Sequence, residues 1–67
     1  MTRKETFAAI REVGMSVSYD AETGEYRVTF PASEMNAERR EAVAYYTPDG
    51  EDAIGSAHHM RNHRKAA

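Results

Sequence analysis

Met15-Ser16-Val17-Ser18-Tyr19-Asp20-Ala21-Glu22-Thr23-Gly24-Glu25-Tyr26-Arg27-Val28-Thr29-Phe30 consists of two alternating runs joined by a polar turn. Met15, Val17 and Tyr19 share one parity, and Tyr26, Val28 and Phe30 share one in the second run. Ser16, Ser18, Arg27 and Thr29 take the opposite positions. A period of two with a single apolar face predicts a half-buried antiparallel hairpin. Asp20 suits the entry to its turn, and Gly24 can adopt the positive φ that a short loop needs.

On the N-terminal side, Thr2 to Val13 reads as a helix. Thr2 and Glu5 form a capping-box pattern, and Phe7, Ile10 and Val13 recur at helical spacing. Gly14 is placed to end that helix in the left-handed conformation. On the C-terminal side, Pro31 ends the second strand. Residues 31–41 read as an exposed, charged loop, with at most a short helical turn capped by Ser33 and with Met35 as its anchor. Residues 42–47, Ala-Val-Ala-Tyr-Tyr-Thr, carry mixed propensities. A third strand is the better expectation, because a lone two-stranded hairpin is marginal in water; one helix from Ser33 to Tyr46 competes with it. Thr47-Pro48-Asp49-Gly50 is a turn, and Thr47 or Asp49 can cap a last helix. That helix has Ile54, Ala57 and Met60 as its apolar stripe, and it is expected to fade near His63. The resulting expectation is an α+β fold, α-β-β-β-α, one domain with frayed ends at residues 1–2 and 64–67. A three-stranded antiparallel sheet carries both helices on one face. Val17, Tyr26, Val28, Phe30, Phe7, Ile10 and Ile54 form its expected core.

Sixty-seven residues with four Val, two Ile, two Phe and no Leu or Trp allow only a small core. Marginal stability follows, and a weak homodimer is one way to relieve it. No cysteine is present, so disulfides and thiolate metal sites are excluded. The opening Met-Thr-Arg-Lys-Glu leads into an amphipathic run, not an apolar leader, and no stretch is long enough to span a membrane. A cytoplasmic protein without a membrane partner is the simplest expectation. Net charge is −2, unevenly spread: residues 57–67 hold Arg61, Arg64 and Lys65 and no acid, whereas all eleven acids precede them. Such asymmetry marks either an interaction tail or cations that suit a helix C-terminus.

Chemistry is sparse. His59 and His63 are four apart and could face one metal ion, but no third ligand type follows them, so no metal site is expected. No glycine-rich phosphate loop and no nucleophile motif is present, so neither catalytic residues nor a cofactor are expected. Binding is the better expectation. The open sheet face should show Ser16, Ser18, Arg27 and Thr29, joined by Val43 and Tyr45 if the third strand keeps register, and Arg61, Arg64 and Lys65 form a basic cluster. A Tyr beside an Arg on a rigid surface has the composition of a binding hot spot. A host protein is the expected partner. A small nucleic-acid-binding module is the alternative, since a three-stranded sheet can enter a major groove.

Two resemblances bear on this. The element order is similar to that of the double-stranded-RNA-binding domain, but Asp49, Glu51 and Asp52 stand where that family grips phosphate with lysines, so its activity is not carried over. The pattern Gly24-Glu25-Tyr26-Arg27-Val28-Thr29-Phe30, then Ala44-Tyr45-Tyr46-Thr47-Pro48-Asp49, then Asp52-Ala53-Ile54-Gly55 and Ala57, resembles a group of small uncharacterised proteins of proteobacterial phages, prophages and plasmids. The likeness spans roughly residues 7–61, with a longer loop at residues 31–41. It implies an accessory protein of a mobile element that acts by binding, of the anti-defence kind to which anti-CRISPR proteins belong.

Overall fold

The hairpin forms in the expected register. In the computed structural model, which describes residues 2–66 and side chains as far as His63, β1 (Ser16–Asp20) pairs antiparallel with β2 (Glu25–Thr29). Val17 lies opposite Val28 and Tyr19 opposite Tyr26, so the apolar parity falls on one face. The turn closes through Gly24 N–H donating to Asp20 O at 2.7 Å, while Asp20 Oδ1 accepts from Glu22 N–H at 2.9 Å. Gly24 has φ +73°.

Helix α1 (Arg3–Glu12) begins with the capping box in both directions. Thr2 N–H donates to Glu5 Oε1 at 2.8 Å, and Glu5 N–H donates to Thr2 Oγ1 at 3.1 Å. It ends at Gly14, φ +85°, where Met15 N–H returns to Ile10 O. The order is α1, β1, β2, α2 (Ala37–Ala42), β3 (Tyr45–Thr47), α3 (Gly50–Ala66), with sheet order β1-β2-β3. Helix α1 packs on β1 and on α3, and α3 packs on β2 and β3, so these two helices cover one face. The class is α+β in the order expected, with a short third helix inserted before β3.

Ile10, Met15, Tyr26, Val28, Phe30, Ala53 and Ala57 are buried together. Of the expected core, Phe7, Val17 and Ile54 lie at its margin. The reason is α3, which turns Ala53 and Ala57 toward the sheet and so brings its backbone close. The same closeness appears where α3 begins: a Cβ built on Gly50 would lie 2.7 Å from Thr6 Oγ1 of α1. Tyr26 is the aromatic hub, edge-on to Tyr19 at 5.1 Å and to Phe7 at 6.2 Å between ring centroids.

The stretch after β2 departs from expectation in two ways. Ser33 lies in a turn closed by Glu34 N–H donating to Pro31 O, so the helix starts later, capped by Asn36 Oδ1 accepting from Arg39 N–H at 2.8 Å. The third strand covers only Tyr45–Thr47, because Ala42 stays helical and Val43 caps α2. Helix α3 runs to Ala66, past the expected fade at His63. The side chains of Arg64 and Lys65 lie outside the described residues, as do Met1 and Ala67, the outermost residues of the expected frayed ends.

Candidate binding surfaces

The register of β3 decides which tyrosine belongs to the second face of the sheet. Tyr26 pairs with Thr47, Arg27 with Tyr46 and Val28 with Tyr45. Tyr45 therefore shares the parity of Val28, on the helix-covered face, and its hydroxyl donates to Asp52 Oδ2 of α3 at 2.7 Å. Asp52 pushes the Tyr45 phenol above its ordinary range. The expectation that Tyr45 joins Arg27 is corrected: Tyr46 does. Val43 is not in the strand at all. Any Tyr-Tyr pair in a strand sends one ring to each face. The sequence alone left the parity open because the start of the strand was ambiguous.

Arg27, Glu41 and Tyr46 form a closed triad. Arg27 Nε donates to Glu41 Oε1 at 3.0 Å and to the Tyr46 hydroxyl at 3.3 Å, Arg27 Nη2 forms an ion pair with Glu41, and the Tyr46 hydroxyl donates to Glu41 Oε2. The Tyr46 hydroxyl, and then the Arg27 guanidinium, hold the Glu41 carboxyl below its ordinary range. Between this triad and the hairpin turn lies a concavity of about 420 Å³, bordered by Ser18, Asp20, Glu25, Arg27 and Tyr46. Ser18 is exposed and Ser16 half-buried. Thr29, expected on the open face, is only 1% exposed.

Arg61 is not part of a free basic tail. Its Nη1 donates to Glu34 Oε1 at 2.6 Å, and its Nη2 donates to Glu34 Oε2 at 3.0 Å and to Gly14 O at 2.6 Å. The guanidinium also lies 5.7 Å from the centroid of the Phe30 ring. One side chain thus ties α3 to the loop after β2 and to the end of α1. A planar fork suits such bidentate work, which a lysine could not do.

A second concavity, about 390 Å³, runs between α2 and the C-terminal half of α3. Phe30, Met35, Val43 and Met60 supply its apolar lining, and Arg39, His59 and His63 stand around it. The two imidazoles lie 4.0 Å apart between centroids. Among the described residues no group of three or more His, Asp or Glu side chains could hold a metal ion, and no helix is long and apolar enough to cross a membrane. Comparison with protein-family models, with curated proteins and with solved structures found no match to this chain.

Proposed function

We propose that the protein acts by binding and not by catalysis, and that its partner is a protein of the host in which a mobile element carries it. The observation that carries this reading is Tyr46, 48% exposed and held in place through Glu41 and Arg27 on the second face of the sheet. An aromatic ring already fixed before contact loses little conformational freedom on binding, and Tyr is among the residues that dominate interface energetics. The activity is inhibition or modulation of a host factor, of the anti-defence kind that the sequence resemblance implies.

Nucleic acid is the poorer fit. Arg27 and Arg61, the two candidate cations with described side chains, are both engaged by glutamates. Asp20 and Glu25 border the sheet-face concavity. Affinity for a phosphate backbone scales with the number of phosphates neutralised, and these surfaces neutralise few.

The test pairs Tyr46→Ala with the wild type. Both proteins are melted to establish that the fold survives, then expressed in bacteria whose CRISPR–Cas immunity targets an incoming plasmid. Wild type is expected to raise transformation and the variant to lose most of that gain. In parallel, duplex DNA and RNA at low salt should show no mobility shift with wild type. A shift at low salt that fades at moderate salt would establish the nucleic-acid reading instead. A stable Tyr46→Ala with undiminished activity would move the function off this face.

A further inference from the structure

The groove between α2 and α3 is a separate surface, and nothing in the sheet-face reading uses it. Its lining is largely apolar, supplied by Phe30, Met35, Val43 and Met60. Val43 is 43% exposed there, a β-branched apolar residue at the C-cap of a helix that itself buries nothing. Met35 and Met60 contribute unbranched, polarisable side chains, which adapt to the shape of whatever enters. Arg39 is the fixed charge in its lining, His59 and His63 add imidazole donors, and no acid lines it. The two ion pairs among the described residues go to Arg27 and Arg61, and Arg39 is in neither. The body of the chain, by contrast, carries all eleven acids before residue 57.

We propose that this groove takes a segment of another protein in which one bulky apolar side chain is flanked by acidic ones. The apolar side chain seats against Phe30, Val43 and the two methionines. The flanking carboxylates meet the guanidinium of Arg39 and accept from ring N–H groups of His59 and His63. Charge complementarity selects this occupant, because Arg39 and two imidazoles line the groove and no acid does. A second copy of the chain is the weaker candidate: a two-fold dimer through this groove would set Arg39, His59 and His63 against their own counterparts.

Three synthetic peptides test it, read by fluorescence anisotropy on the full chain. Each has a fluorescent label and twelve residues. The first places a central Leu among Glu and Asp, the second replaces the Leu with Ala, and the third replaces the acids with Lys. The acidic Leu peptide is expected to bind, and the other two about tenfold more weakly or worse. Arg39→Glu and Val43→Ser, both at exposed positions and checked by thermal melting, should each weaken the first peptide by about tenfold while leaving the melt close to wild type. Equal binding of the Lys peptide, unchanged binding to both folded variants, or no binding of the first peptide at millimolar concentration would each overturn the proposal. Self-association in sedimentation that Arg39→Glu abolishes would overturn it in favour of a second copy. Binding of duplex DNA that depends on Arg39 would overturn it in favour of nucleic acid. The peptide and sedimentation outcomes leave the sheet-face reading untouched, since that reading is decided by Tyr46→Ala; only DNA binding would count against both.

Discussion

Residues 15–30 and residues 36–47, separated in the chain by residues 31–35, are held in different ways. The first stretch buries Met15, Tyr26, Val28, Thr29 and Phe30, whereas the second buries Thr47 alone. The hairpin is fixed by apolar area removed from water, and its register is enforced because a one-residue slip would turn the whole apolar set outward. The α2–β3 stretch is fixed by polar contacts at its ends: Asn36 capping the helix, Glu41 against Arg27 and Tyr46, and the β3 ladder. Both candidate binding surfaces border the second stretch. The difference teaches that the surfaces are built on the less firmly anchored half of the molecule, while the other half supplies the rigid base.

The largest expected effect lies on the hairpin side. Phe30→Ala removes a ring from the core and should cost about 3 kcal/mol or more, enough in so small a domain to unfold most of the population. Circular dichroism melts measure it, and a cooperative melt within a few degrees of wild type would break the contrast at once. A smaller effect is expected at the helix cap. Asn36→Ala should cost about 1 kcal/mol, borne by α2. Amide exchange of residues 37–42 should quicken while the hairpin amides of β1 and β2 keep their protection. Equal loss across both stretches would mean that α2 melts with the core and that the two halves are one cooperative unit.

The smallest effect is electrostatic. The Glu41 carboxyl lies below its ordinary value because of the Tyr46 hydroxyl and then the Arg27 guanidinium. A carboxyl depressed in the folded state contributes stability that is present above its unfolded value, about pH 4.3. That contribution is lost as the pH falls through the depressed folded value. Glu5, lowered first by the Thr2 backbone and then by the Thr2 hydroxyl, follows the same sign in α1. Glu41 is exposed, so the effect is modest. On acidification through that window the amide resonances of residues 37–42 should move in wild type and stay nearly still in Glu41→Gln. The same titration in both proteins would show that the triad does not hold α2.

The hairpin was legible because two alternating runs flank one polar turn, and Gly14 and Gly24 punctuate the stretch with the left-handed conformations that they adopt. The capping box at Thr2 and Glu5 was legible for a similar reason: a local motif has local partners. Helix α2 and strand β3 were not. Six residues of helix and three of strand are too short for periodicity to register. Asn36, Glu41 and Tyr46 take their roles from partners that only the folded chain brings near. Arg61 was misread for the same reason. Its position among basic residues suggested a tail, but Glu34 and Gly14, 27 and 47 residues away in sequence, hold it.

The want of any buried residue in α2 has a further consequence. A helix of six residues with no fully buried side chain can open while the sheet and its two covering helices stay closed, and such excursions have a small free energy. When α2 opens, the backbone between Pro31 and Ala44 becomes a tether fixed at both ends, and a protease that samples it would cleave here before touching the hairpin. A nick there would leave the two fragments joined by the β2–β3 ladder and by α3 packed on α1 and β2, while loosening the helix that positions Glu41 against Tyr46 and forms one wall of the groove. Limited proteolysis would therefore report on the availability of both surfaces, and a bound partner should slow it.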